Sequence, residues 1–162
     1  MVLKPTRAGL TRAAQLIRTG GVIAFPTDTV YGLGAAADDE IATKRVYHIK
    51  GRPAGLPLIL MVAAESQLEG WVHVDSRAEA LMRRWWPGPL MTTSANLHGK
   101  DPAMTAADAG GLPGVTAVLD GGTAPGGTAS TVLDLTGPEP HVLREGAIPA
   151  PDLLGPPPSQ AG

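Results

Sequence analysis

Apolar positions recur at Leu10, Ala13, Ala14 and Ile17, a spacing of three and four that predicts a helix, and Gly20-Gly21 stops it. Val22 to Phe25 is a short apolar run, the pattern of a buried strand, and it enters a turn dense in hydroxyls: Pro26, Thr27, Asp28, Thr29 and Tyr31. Asp38 or Asp39 can cap a second helix that runs through Lys50 with Ala42, Val46 and Ile49 facing inward. Leu58 to Val62 is a continuous apolar run after a proline and predicts a fully buried strand; Trp71 to Val74 is a shorter candidate. Asp75 caps a predicted helix carrying Ala78, Leu81, Met82 and Trp85, stopped by Pro87-Gly88-Pro89. Met91 to Thr93 predicts a strand leading into a Ser94-Ala95-Asn96 turn. Thr105 to Gly110 predicts a short helix, and three more strands are expected at Val115 to Leu119, Thr131 to Leu135 and His141 to Leu143. Strands alternating with helices point to the α/β class. Gly121 to Gly127 is a glycine-rich loop, and there is no internal repeat.

At 162 residues and 43% apolar content the chain fits one core-forming domain, expected at residues 7–148, followed by a Pro-rich disordered tail at 149–162. The net charge of −2 argues against binding nucleic acid or membrane through a global basic field, while leaving room for a local cationic pocket. Aromatic content of 4% is low for a base-stacking surface. The absence of cysteine excludes disulfides and a thiol nucleophile. His48, His73, His98 and His141 lack metal-ligand spacing. The first sixteen residues hold no long apolar stretch of the signal-peptide kind. The longest apolar run, Leu56 to Ala64, is too short to span a bilayer, so a cytoplasmic protein without membrane partners is expected.

Four groups of residues carry candidate chemistry. Lys50 and Arg52 end a helix, where cations offset the dipole; Pro53 also projects the pair into a loop, and an ammonium beside a planar guanidinium suits polyphosphate. Thr27, Thr29 and Tyr31 follow a strand, which is turn chemistry and also the end of an α/β sheet where ligands bind. Ser94 and Asn96 read equally as an ordinary turn, since neither a nucleophile elbow nor a triad accompanies them. Ser130 and Thr131 open a strand after the glycine-rich loop, and Arg144 beside Glu145 is an ion pair in its simplest reading. The glycine-rich loop is not a P-loop, because no Gly-Lys-Ser/Thr follows it.

Taken in order, PTDTVYGLG, KGRP followed by PLI, WPGPL, TSAN, STVLD and LREGAI closely resemble the YrdC-like family of L-threonylcarbamoyladenylate synthases, from about Arg7 to Ile148. The family's Lys-x-Arg and Ser-x-Asn signature maps onto Lys50, Arg52, Ser94 and Asn96. The resemblance implies a twisted, mixed open sheet with flanking helices. It implies condensation of L-threonine, bicarbonate and ATP, with Mg2+, into threonylcarbamoyl-AMP and pyrophosphate. A downstream threonylcarbamoyl-transferase complex would then modify tRNA beside the anticodon, with at most weak tRNA contact by this chain. By the same resemblance, Lys50, Arg52 and Mg2+ would neutralise the phosphates, Thr27 and Thr29 would orient threonine with Tyr31 in the same substrate-binding turn, Ser94, Asn96, Ser130 and Thr131 would position threonyl and phosphate oxygens, and Arg144 would lie near the nucleotide.

Members of that family carry several dozen residues between WPGPL and TSAN, including sheet strands and a Val-Arg-x-Pro arginine facing the phosphates. Here Leu90 runs straight into Met91 and Thr92, a junction with the form of a deletion between two similar triplets. A second departure is Leu56, where the family often has a polar residue. The expected consequences are exposed apolar faces and sheet edges. The alternative reading is a catalytically impaired nucleotide- or RNA-binding module of the same fold. A third, a carbamoyl-adenylate domain like that of hydrogenase maturation factors, is disfavoured by the lack of cysteine.

Overall fold

The computed structural model describes residues 1–54, 56–85, 93–126, 128 and 130–154. They divide into two compact units: Met1–Met61 with Leu90–Gly127, and Val62–Pro89 with Thr128–Gly162.

The first unit is built on a five-stranded mixed sheet in the order β1-β5-β2-β3-β4. The strands are β1 (Val2–Leu3), β2 (Ile23–Pro26), β3 (Tyr31–Gly34), β4 (Thr93–Ser94) and β5 (Ala117–Leu119). β5 lies parallel to β1 and β2; β3 is antiparallel to β2 and β4. Side chains alternate across β2 as a strand's two-residue period requires. Ile23 and Phe25 pack with Ala13, Leu16, Ile17 and Ala117 on one face. Ala24 packs with Val46, Ile49, Ala106, Ala109 and Val118 on the other. Covering both faces with helices is what buried parallel strands demand. The expected twisted mixed sheet with flanking helices is therefore present.

The helices start where short polar side chains can accept a backbone N–H. Helix α1 (Arg7–Arg18) is capped by Thr6, and α2 (Glu40–Lys50) by Asp39, whose Oδ1 accepts from Ala42 N at 2.9 Å. In α1 the expected inward stripe is only partly realised: Ala13 is buried, but Leu10 is exposed. Helix α4 (Ala106–Gly110) is capped by Thr105. Helix α2 ends at Gly51, whose φ of 59° is left-handed and therefore suited to glycine. Arg52 N donates back to Tyr47 O at 3.0 Å, the six-to-one closure of a Schellman motif. That closure starts a loop at Arg52, while Lys50, on the last turn of α2, is buried.

The second unit contains α3 (Ser76–Trp85) and an antiparallel hairpin of β6 (Val132–Asp134) and β7 (His141–Arg144). Asp75 caps α3, with Oδ1 accepting from Ala78 N at 2.9 Å and Arg77 N at 3.1 Å. The Arg77 guanidinium ties the start of α3 to the hairpin turn, donating to the carbonyls of Leu135, Gly137 and Pro138.

Some expectations are corrected. No strand forms at Leu58 to Val62, where Ile59 and Met61 are 43% and 41% exposed, nor at Trp71 to Val74. An apolar run becomes a strand only where a ladder partner takes up its N–H and C=O groups, and no such partner exists among the described residues. Conversely, β3 arises from Tyr-Gly-Leu-Gly, which reads as turn but pairs residue for residue with β2, from Pro26–Tyr31 to Ile23–Gly34. The tail opens with a short helix, α5 (Ala150–Leu154). The expected stop at Pro87-Gly88-Pro89, the residues Met91 and Thr92, and the tail beyond residue 154 lie outside the described residues.

Ile49 and Gly51 separate packing from backbone strain. Ile49→Ala is expected to cost about 2–5 kcal/mol, the range for truncating a buried core side chain. Gly51→Ala, with open space around the added methyl, is expected to cost only about 1 kcal/mol, from the left-handed φ alone. Urea unfolding of the two variants checks the ratio.

Candidate functional site

The site grows from the inward turn of Lys50 at the end of α2. Its side chain is 2% exposed. An ammonium carries three donors and no acceptor. All three are used: Nζ donates to Ser94 O at 2.5 Å, Asn96 O at 2.9 Å and Asn96 Oδ1 at 2.9 Å. The turn after β4 is thereby wrapped around one buried cation, and His98 N donates to Lys50 O at 2.7 Å, which ties the same segment to the helix end.

Asn96 completes the knot. Its Oδ1 also accepts from Ser94 Oγ at 2.5 Å, and its Nδ2 donates to Leu97 O at 3.0 Å and Lys100 O at 2.5 Å. Lys50, Ser94 and Asn96, far apart in sequence, are thus one hydrogen-bonded unit. Burial lowers the Lys50 pKa to about 8, helped by the neighbouring positive charge of Arg52.

Arg52 differs from these three. Its Nη2 donates to Pro57 O at 3.1 Å, but its Nε–H is buried without a partner among the described residues. The loop it opens is held from below by Tyr47, whose hydroxyl donates to Leu56 O at 2.8 Å. Tyr47 was not singled out in the sequence; its position three residues before Lys50, on the same side of α2, was the available signal.

The β2–β3 turn lies beside this knot. Tyr31 O accepts from Ala95 N at 2.6 Å, and Tyr31 N donates to Ala103 O at 2.9 Å. Thr27 Oγ1 donates to Val30 O at 2.7 Å, accepts from the Val30 and Thr29 N–H groups, and lies 3.3 Å from Thr29 Oγ1. The Tyr31 ring is fully buried; its hydroxyl donates to Gly122 O at 2.7 Å and accepts from Gly121 N at 3.2 Å. It therefore holds the glycine-rich loop. Gly121 has to be glycine there, since a Cβ would stand 2.6 Å from the Pro26 ring. Gly126 N donates to Thr29 O at 3.0 Å, closing the loop onto the turn.

Ser130, Thr131 and Arg144 form a separate group in the second unit. Arg144 donates to Ser130 O through Nε at 3.2 Å and Nη2 at 3.0 Å. Thr131 Oγ1 donates to Ile148 O and accepts from Gly146 N at 2.9 Å. The structure thus gathers Thr27, Thr29, Tyr31, Lys50, Arg52, Ser94 and Asn96 in one unit and the other three in the second.

This arrangement has relatives. A model of the Sua5, YciO and YrdC proteins, described as telomere recombination, matches residues 15–92 and 88–146. The chain belongs to that family. The two matched segments share residues 88–92. The chain is 36% identical to the threonylcarbamoyl-AMP synthase of Pyrococcus abyssi, over 87% of its own length and 55% of the relative. It is 35% identical to that of Bacillus subtilis, over 86% and 54%. The alignment with the Pyrococcus protein runs over 187 positions, several dozen more than the residues of this chain within it. The solved structure of P. abyssi Sua5 complexed with L-threonine superposes with a TM-score of 0.87 at 31% identity, over 96% of this chain and 61% of that one. The chain spans about half the length of the curated relatives it matches.

The buried cation has a measurable signature. A lysine pKa lowered on folding means that the unfolded chain holds more protons than the native one between about pH 8 and 10.5, so stability contributed at this site rises with pH across that window. Below pH 8 the burial cost is fully present. Wild type is expected to gain stability relative to Lys50→Met between pH 8 and 10. Urea midpoints at pH 7, 8, 9 and 10 check it, and a pH-independent difference would contradict the assignment.

Proposed function

We propose that this chain is a threonylcarbamoyl-AMP synthase acting in the cytoplasm: it joins L-threonine, bicarbonate and ATP, and supplies the product to the machinery that modifies tRNA beside the anticodon. The observation that carries the reading is the convergence of Lys50, Ser94 and Asn96 on one turn with the Arg52 guanidinium beside it, in a chain whose threonine-complexed relative shares its fold.

The chemistry needs little from a dedicated base. The threonine amine forms an N–C bond to CO2 derived from bicarbonate and loses a proton, leaving a carbamate. A carbamate oxygen then forms a bond to the α-phosphorus of ATP. The bond from that phosphorus to the bridging oxygen breaks, and pyrophosphate leaves with the electron pair. Both reactants of the second step are anions, so the main barrier is charge repulsion and misorientation. Two positive charges fixed near one turn answer the first. The Thr27–Thr29 turn, with hydroxyls of matching size and polarity, answers the second by holding threonine. Mg2+ enters as part of the substrate, on the phosphates of ATP. Among the described residues no group of three or more His, Cys, Asp or Glu could hold a metal. Ser130, Thr131 and Arg144 are assigned no step.

A nucleotide-binding module without turnover is the second reading, favoured by the several dozen aligned positions this chain lacks. Pyrophosphate release from ATP, with and without L-threonine in bicarbonate and Mg2+, separates the two. Release that requires threonine is the expected result; binding of ATP with no release would leave the module. Arg52→Ala is expected to lower turnover at least ~100-fold, the scale for removing a charge-stabilising donor, while moving stability by less than about 1 kcal/mol, as for a partly exposed side chain. Full activity in Arg52→Ala would overturn the site.

A further inference from the structure

We infer that residues 58–61 are a self-pairing edge: the segment takes an antiparallel copy of itself from a second molecule of this chain, with Ile59 of each molecule opposite Met61 of the other. The inference concerns a surface of the first unit and does not depend on the synthase reading.

The segment has the side-chain pattern of a strand and none of its ladder. Ile59 and Met61 are exposed, while Leu58 and Leu60 are half-buried, Leu58 against the core of the first unit. That alternation is a strand's two-residue period. Among the described residues, the backbone N–H and C=O groups of these four make no hydrogen bond. Groups in that state are satisfied by water or by the edge of another chain. The other edges of the described structure are blunted by shortness, charge or proline. β1 and β4 are two residues long; β1 runs into Lys4 and Pro5, and the turn after β4 is bound to the Lys50 ammonium. β6 and β7 carry Asp134, His141 and Arg144. Residues 58–61 have none of these devices, and no charged residue stands between Arg52 and Glu65. Charge therefore selects the partner. An uncharged apolar edge is matched by another uncharged apolar edge, and antiparallel pairing of identical segments is two-fold symmetric, so one contact serves both molecules. Register follows from the exposed positions. With Ile59 opposite Met61, both outward side chains meet across the pair. Ile59 opposite Ile59 would set Met61 against Pro57, which has no N–H to give, and Met61 opposite Met61 would leave Ile59 facing Ala63.

Four residues bury less than the ~1,600 Å² of a stable complex, so the pairing is weak and depends on concentration. Sedimentation velocity of the full chain between ~5 and ~500 μM, the span of weak dimers, is expected to show a shift from monomer towards dimer. Ile59→Lys, at an exposed position, is expected to weaken association at least ~10-fold, because lysine blocks an open edge, and to leave the urea midpoint unchanged. Trp71→Lys removes a more exposed apolar side chain from the second unit and is expected to associate as wild type does, which separates edge pairing from indiscriminate apolar contact. The register has its own readout. The chain has no cysteine, so Ile59→Cys and Met61→Cys each supply a single thiol. Mixed and mildly oxidised, the two variants are expected to cross-link to each other. Neither is expected to cross-link to itself, since like positions then lie beyond the ~7 Å reach of a disulfide. A monomer at every concentration, wild-type association in Ile59→Lys, loss of association in Trp71→Lys, or self-cross-linking as ready as the mixed reaction would each overturn the pairing.

Discussion

One buried ammonium organises the first unit. A lysine that is almost wholly removed from water is expensive unless its donors are matched, and at Lys50 the matching groups are two backbone carbonyls and one side-chain amide, all from the Ser94–Asn96 turn. The constraint works in both directions. It fixes where the turn after the edge strand β4 sits relative to the end of α2. The Schellman closure at Gly51 then dictates where Arg52 leaves the helix. Moving any one of these elements would strand a buried charge.

The backbone around the knot is tied by the same logic. The antiparallel ladder brings Gly32 opposite Ser94, and Tyr31 continues it with a bond from Ala95 N. Buried Tyr31 then passes the constraint to the glycine-rich loop through its hydroxyl. Helix end, edge strand, hydroxyl-rich turn and glycine-rich loop are therefore linked by hydrogen bonds rather than by apolar packing alone. A polar network of this kind specifies geometry more narrowly than apolar contact can, because each member has directional partners.

How far the sequence discloses this depends on the range of the interaction. Local rules were legible. Asp39 and Asp75 mark helix starts, because capping is decided within four residues. The strands β2, β5, β6 and β7 show as apolar runs. Non-local pairing was not legible. The chain's most apolar run, at Leu58 to Val62, forms no strand, while Tyr31–Gly34, half glycine, forms one opposite β2. Periodicity reports burial, but a ladder needs a partner that a single segment does not encode. The site followed the same division. The order of the motifs put Lys50, Arg52, Ser94 and Asn96 forward together, yet the sequence placed Lys50 with Arg52 in a projecting pair, whereas Lys50 is buried. The carbonyls that hold Lys50 lie more than forty residues away.

The difference between the two cations also bears on the segment this chain lacks. The alignment with the Pyrococcus relative carries several dozen positions with no counterpart here. Such a loss acts on the site's charge and on its scaffold separately. The scaffold of the knot comes from α2, β3 and the Ser94–Asn96 turn, all within one compact unit, so its geometry is maintained by contacts that do not pass through the junction. Charge is more vulnerable. With Lys50 committed to carbonyls, Arg52 is the member of the pair whose Nε–H has no partner among the described residues.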